Sequence, residues 1–470
     1  MSRIIVVSNR TPGKGPAAGG LAVALRKTLA EREGFWFGWS GKLGDAPASQ
    51  ARFEDVDGLT VAQIDLTRED HDAYYSGFSN SILWPSFHLR LDLATIEAHW
   101  YEGYRRVNHQ FARALMPLLK PDDIVWVHDY HLIPLASELR SLGARNQIGF
   151  YLHIPFPTTD ALYAIPHNQE LMRDLSRFDL VGMQANRDVA AFTEFAQNQT
   201  PSTLDGSPLR SVDFGRTEVA AFPIGSDPDA FARIAVSPAA NKMVKRMERA
   251  LHTQRLILGV DRLDYSKGLP QRMEAYEKLL ANDSRFRRQV HMLQIAPPSR
   301  DMIREYQDTS DMLDAMVGHV MGRFAEPDWQ PLTYVKRAYG QPSLAGLYRL
   351  ARVGLVTPLR DGMNLVAHEY VGAQNPADPG VLVLSRFAGA AEIFEDAILV
   401  NPFDTDETAE ALRMALDMPL DERQQRWQSL MAAARKHNVE DWSKDYLEKL
   451  APAATGGTGS RDILYLSSVA

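Results

Sequence analysis

At roughly 100–200 residues per domain, a chain of 470 residues makes two or three domains, and 45% hydrophobic with 23% charged residues suits an ordinary globular core. A balance of 51 basic against 59 acidic residues, net −8, speaks against a nucleic-acid or anionic-membrane surface. Cysteine is absent, which excludes disulfides, thiolate metal sites and a cysteine nucleophile; no segment reaches the ~18 apolar residues of a membrane span, and the cytoplasm is the expected compartment.

In chain order, short apolar runs alternate with loops rich in Gly, Asp or Pro and then with helical stretches. The runs are Ile4–Ser8, Ile124–Val127, Ile148–Ile154 and Leu180–Met183, then Leu256–Val260, Val290–Ile295, Val353–Thr357, Val381–Leu384 and Ile398–Val400. Runs without alternation predict strands buried on both faces. Their alternation with helices predicts βαβ units. The Pro/Gly/Asp cluster Phe222–Pro228 closes the first series, and a charged helix at about 239–253 opens the second. The expectation is an α/β protein of two doubly wound Rossmann-like domains, 1–226 and 227–450, facing a central cleft, with a flexible Gly/Thr-rich tail at 451–470.

In doubly wound sheets ligands sit beyond the carboxyl ends of the strands, so the residues after each run carry the functional reading. Asn9-Arg10 ends the first. Gly19-Gly20 then precedes an apolar helix, where free N–H groups favour an anion. Gly13, Gly15 and Gly19 miss the dinucleotide spacing by one residue, and Phe35–Gly41 stands where an acidic residue should follow the second strand, so a nicotinamide cofactor is not expected. Trp39, Tyr74-Tyr75 and Trp84 could form sugar platforms or pack between layers. Asp129, in His128-Asp129-Tyr130-His131, could accept hydrogen bonds from sugar hydroxyls or cap a helix. His153 begins a loop stiffened by Pro155 and Pro157.

In the second half, Arg262 and Lys267 lie on a loop entering a helix. This suits a diphosphate, although Asp261 and Asp264 could equally make the loop a surface ion-pair network. Arg300 is another cation just past a strand. In Arg360-Asp361-Gly362-Met363-Asn364 the glycine permits a tight turn, and Glu369, in the helix that follows, could grip ribose hydroxyls; a helix cap and a helix-face charge are the plainer readings. Asp-x-Asp occurs at 55/57, 227/229 and 404/406, away from the other candidates, with Asp406 read as a helix cap. No catalytic metal is expected.

Taken in order, Val7–Arg10, Gly19–Leu21, Gly38–Gly41, Leu83–Pro85, His128–Leu132, His153–Pro157, Arg262–Gly268 and Leu359–Val366 resemble the trehalose-6-phosphate synthase family, retaining glycosyltransferases of the two-domain GT-B fold. The resemblance spans nearly the whole chain. It implies glucose transfer from a nucleotide sugar to glucose 6-phosphate, with UDP-glucose the favoured donor and GDP- and ADP-glucose left open by the sequence. It places Arg10, Trp39, Tyr75, Trp84, Asp129 and Arg300 at the acceptor, with the two arginines at its phosphate. Gly19, Gly20, Arg262 and Lys267 fall at the donor diphosphate. Tyr339, Leu365, Val366 and Glu369 fall at the nucleotide. His153 and the loop Asp361, Gly362, Met363 and Asn364 fall at the donor glucose, and Arg262, Lys267, His153 and Asp361 carry the catalytic roles. No cofactor is implied, and a homo-oligomer is expected.

Overall fold

The computed structural model describes residues 2–13, 25–26, 28–29, 33–197, 203–204, 207–208, 217–300 and 303–451. Gly19, Gly20 and the tail beyond 451 lie outside the described residues.

The chain forms two compact units. The first comprises Met1–Phe87 and Ala94–Phe222 together with the chain from Ser443 onward; the second comprises His88–Leu93 and Pro223–Trp442. In the first unit, β1 (Ile4–Arg10), β2 (Gly34–Leu43), β3 (Arg52–Val56), β4 (Leu59–Leu66), β5 (Ile124–His128), β6 (Gln147–Tyr151) and β7 (Leu180–Met183) precede a two-stranded ribbon, β8 (Thr203–Leu204) and β9 (Ser207–Pro208). β10 (Glu218–Ala221) completes the set. Eight of these strands make one sheet in the order β10-β7-β6-β5-β1-β2-β4-β3. Only β3 runs antiparallel to its neighbour. Ile4–Val7 of β1 are fully buried, as expected of a strand covered on both faces.

The second unit holds β11 (Arg255–Val260), β12 (Val290–Ile295), β13 (Leu332–Val335), β14 (Val353–Val356), β15 (Val381–Ser385) and β16 (Ile398–Val400). They form a parallel sheet in the order β13-β12-β11-β14-β15-β16. In both sheets strand order reverses direction beside the first strand of the series: between β1 and β5, and between β11 and β14. Ligands of doubly wound sheets bind at such points.

Several expectations shift. Phe35–Gly41 does not follow the second strand; it lies within it, built on aromatic rather than branched residues. β6 stops at Tyr151 instead of running to Ile154, because the His153 N–H turns to the Asp129 side chain and Pro155 has no N–H to give. Asp404, not Asp406, caps the helix Thr405–Asp417, accepting from two backbone N–H groups. The end of the helix Val439–Leu450 packs on the first sheet, where Tyr446 stacks on Trp126 with centroids 4.8 Å apart. Among the described residues, no helix is long and apolar enough to cross a membrane.

Candidate functional site

The first unit gathers its candidates where β1, β2 and β5 end. Arg10 and Trp39 are register partners on adjacent strands, and the Arg10 guanidinium lies 5.7 Å from the Trp39 ring centre. Tyr75 stands 6.2 Å from Trp39 and stacks on His131 at 5.8 Å and 10°. Its neighbour Tyr74 is instead fully buried, its hydroxyl donating to Asn9 Oδ1 at 3.0 Å. Trp84 packs 5.8 Å from Tyr130. His71, which sequence reasoning passed over, lies 5.2 Å from Trp39 and 5.3 Å from Tyr75.

Asp129 follows β5 with φ 78°. Its N–H donates to Tyr151 O at 2.8 Å, and its Oδ1 accepts from the His153 N–H at 3.3 Å. His153 Nε2 lies 3.1 Å from His128 Nδ1. Burial pushes both imidazoles down, His128 far down and His153 to about 3, so the pair is neutral at physiological pH.

The second unit gathers its candidates around the β11/β14 switch point. Lys267 Nζ donates to Asp361 Oδ2 at 2.5 Å, and Asn364 Nδ2 donates to the same oxygen at 3.1 Å. Asp264, fully buried, accepts from the Ser266 N–H and hydroxyl at 2.9 and 2.8 Å and from the Tyr306 hydroxyl at 3.1 Å. Its Oδ2 is 3.4 Å from Arg300 Nη1. Burial alone would raise the Asp264 carboxyl, but the charges of Arg300, Arg262, Lys267 and His88 outweigh it and hold it at about 2. Three predicted cations therefore share one buried anion. Asp261 does not join them as an ion-pair partner of Arg262: it binds the fully buried Arg272 at 2.7 Å. Arg262 itself is solvent-exposed.

Two helices start here. Gly268, with φ 65°, precedes Leu269–Asn282, and Asn364, with φ 81°, precedes Leu365–Ala373; neither start has a side-chain cap. A β-carbon on Gly268 would also lie 2.3 Å from Thr357 O. The left-handed residue of the second loop is thus Asn364 and not Gly362. Met363 is buried, and Leu365 and Val366 open the helix half-buried. Helix ends uncapped by side chains present N–H groups to an anion. Glu369 accepts from the Tyr348 hydroxyl at 3.2 Å, and burial, opposed by that bond, raises its carboxyl to about 7. Tyr339 sits before the helix Gln341–Leu350, its hydroxyl taken by Arg337 at 2.9 and 3.1 Å.

Of the eight non-glycine residues with positive φ among the described residues, three are Asp129, Arg300 and Asn364. Backbone strain of this kind concentrates at functional sites. The Asp-x-Asp pairs serve the fold: Asp227 and Asp404 cap helices, and Asp55 accepts from the Gly58 N–H.

Two doubly wound sheets, with clustered cations and uncapped helix starts at the switch point of the second, define an α/β protein of the Rossmann-like class. The family model for glycosyltransferase family 20 matches residues 9–452, and the chain belongs to that family of glycosyltransferases. Trehalose-6-phosphate synthase of Sinorhizobium fredii is 47% identical, over 97% of this chain and 99% of its own. That of Sodalis glossinidius is 44% identical, over 96% of each. Among solved structures, an alpha,alpha-trehalose-phosphate synthase (UDP-forming) from Burkholderia xenovorans in complex with glucose-6-phosphate superposes with a TM-score of 0.89 at 49% identity, covering 95% of this chain and 100% of that one. An E. coli structure bound with UDP-2-fluoro glucose gives 0.89 at 42% identity, covering 96% and 99%.

Proposed function

We propose that this chain is a UDP-forming alpha,alpha-trehalose-phosphate synthase, transferring glucose with retention from UDP-glucose to glucose 6-phosphate. The bond from donor C1 to the diphosphate oxygen breaks, the bond from C1 to the acceptor hydroxyl oxygen forms on the same face, and that hydroxyl's proton passes to the leaving diphosphate. Trehalose 6-phosphate and UDP result. The observation that carries the reading is the cation cluster of Arg262 and Lys267 beside two uncapped helix starts, which suits a departing diphosphate. The names of relatives matched over nearly their full length support the substrates.

In this reading Arg262 and Lys267 stabilise charge growing on the diphosphate, a preorganised electrostatic effect. Glu369 holds the ribose, Leu365 and Val366 the nucleotide, and His153 with the loop 361–364 the donor glucose. Arg10 and Arg300 take the acceptor phosphate, while Trp39, Tyr75, Trp84 and Asp129 take its sugar. No side-chain nucleophile is required. The active species is a cytoplasmic homo-oligomer, a point that light scattering and cell fractionation test separately.

The deciding experiment is a matrix of UDP-, GDP- and ADP-glucose against glucose 6-phosphate and other phosphorylated acceptors, with products identified by NMR. An α,α-linked disaccharide phosphate formed from UDP-glucose and glucose 6-phosphate is expected. Absence of that product across the matrix refutes the proposal.

A further inference from the structure

Residues Asp72–Leu83 form a π-helix of 12 residues, with the Trp84 N–H reaching back five residues to Ser79 O. π-Helical geometry is rare and mostly confined to single turns, so a segment of this length needs support from outside its own ladder. Glycines let the neighbouring helix Ala98–Leu115 close on it: a β-carbon on Gly77 would lie 2.5 Å from the Trp100 ring, and one on Gly103 2.4 Å from Ala73 Cβ. Side chains also bind across it. Ser81 Oγ donates to Ser76 O at 2.8 Å, and Asn80 Nδ2 donates to Tyr75 O at 2.8 Å.

Asn80 does more than brace the helix. It is 1% exposed, and its Oδ1 accepts from the Tyr130 hydroxyl at 2.9 Å. Tyr130 follows Asp129, its carbonyl is held by the Tyr104 hydroxyl at 2.7 Å, and its ring packs against Trp84. One buried amide therefore ties the backbone of Tyr75 to the residue that follows Asp129 in the chain and backs Trp84. If the segment relapsed to ordinary i→i−4 bonding, Tyr75 would rotate on the helix axis and leave its stack on His131.

We propose that Asn80 is a positioning residue for the sugar acceptor: it sets the geometry of Tyr75, Trp84 and Asp129, and so the affinity for glucose 6-phosphate, without touching the ligand. The proposal rests on the reading of those three residues as acceptor contacts. It follows from the two hydrogen bonds of a single side chain, one to each element that carries them.

The test uses the full chain and measures KM for glucose 6-phosphate and for UDP-glucose separately. Asn80→Ala removes both bonds; Tyr130→Phe removes one hydroxyl and leaves the ring packing. From the loss of buried hydrogen bonds, Asn80→Ala is expected to raise the acceptor KM by ~10-fold or more and Tyr130→Phe by about threefold, with the UDP-glucose KM within about twofold of wild type. Asn80→Asp, which keeps the acceptor for Tyr130 but not the donor to Tyr75, should raise the acceptor KM at least as much as Tyr130→Phe, again with the UDP-glucose KM within about twofold of wild type. An unchanged acceptor KM in Asn80→Ala, or an equal rise in both KM values, overturns the proposal; if Asn80→Ala fails to fold, the same outcomes in Tyr130→Phe decide. Tyr75→Ala and Asp129→Asn serve as reference. If these also leave the acceptor KM unchanged, the acceptor reading has failed and the proposal falls with it. If they raise it while the Asn80 and Tyr130 variants do not, only the proposal falls.

Discussion

Lys267 and Asp361 join across the switch point of the second sheet: the ammonium from the β11 loop donates at 2.5 Å to the carboxylate from the β14 loop, with both side chains largely shielded, 12% and 14% exposed. The cation is thus held in place before any ligand arrives. Lys267→Ala and Arg262→Ala should each lower kcat/KM by ~100-fold or more, the range for a lost charge-stabilising donor. Asp361→Asn should separate binding from chemistry. Without the neutralising carboxylate Lys267 faces the diphosphate more fully, so UDP should bind a few-fold tighter while kcat falls by ~10-fold or more. Calorimetry with UDP and steady-state kinetics check both, and parallel losses in affinity and kcat would contradict this division.

Asp264 is the anion about which Arg300, Arg262 and Lys267 are arranged. Asp264→Asn removes that charge from a fully buried position, and leaving the buried Arg300 short of a counter-charge is costly. The melting temperature should fall by several degrees and the glucose 6-phosphate KM should rise by ~10-fold or more. Arg300→Ala should weaken the acceptor more than the donor. Because Arg300 and Asp264 act together, the double variant should lose less than the sum of the single losses. Strict additivity in that cycle would separate the two residues. The Asp264 carboxyl is held below its ordinary value, so its contribution is present above pH 3.8 and fades only as pH falls toward 2. The gap between wild type and Asp264→Asn should therefore stay constant across neutral pH.

What could be read in advance follows from burial. Leu180–Met183 coincides with β7 because a strand covered on both faces is written as an unbroken apolar run; Val290–Ile295 coincides with β12 although His291 and Gln294 stand in it, and Ile398–Val400 with the edge strand β16 although Leu399 is exposed. The motifs after those runs fall at strand ends. β13, Leu332–Val335, an edge strand in which only Leu332 is buried, was missed. The π-helix was not legible, since hydrophobic periodicity carries no signature of i→i−5 bonding, and the Tyr74-Tyr75 pair did not reveal which ring was packing. Nor did adjacency in Asp261–Asp264 identify ion-pair partners: Asp261 turned to Arg272, eleven positions along the chain, and Asp264 to the more distant Arg300.

Glu369 should make the stability of the protein sensitive to pH. Its carboxyl is raised from the ordinary 4.5 to about 7, so the folded chain binds the proton more tightly than the unfolded chain does. The resulting stability is fully present below 4.5 and is lost as pH rises through 7. Between about pH 5 and pH 8 the melting temperature of wild type should fall relative to Glu369→Gln, in which the group cannot ionise. If Glu369 holds the ribose as proposed, added UDP should narrow the difference, because ribose hydroxyls would donate to the ionised carboxylate. Scanning fluorimetry of both proteins across that range decides, and parallel curves would remove Glu369 as the cause.

The last helix supplies a stability test on a residue with no assigned part in the reaction. Expected to belong with the second half of the chain, its end is instead fastened to the first sheet. The Tyr446 hydroxyl donates to Phe150 O at 3.0 Å and Leu180 O at 3.3 Å, its ring lies on Trp126, and the side chain is fully buried. Gly149 and Gly182 make the room: a β-carbon at either would lie 2.3 Å and 2.6 Å from Tyr446 atoms, respectively. Tyr446→Phe keeps the ring and loses only the hydroxyl, so it should cost about 1–2 kcal/mol. Gly182→Ala should cost more, about 1–3 kcal/mol or above, by overpacking against a ring that has nowhere to move. Tyr446→Leu should relieve part of the Gly182→Ala strain, so that the double variant is more stable than the two single losses predict. Urea unfolding of wild type and the four variants gives these values, and simple additivity would show that the glycine and the tyrosine do not share the space described.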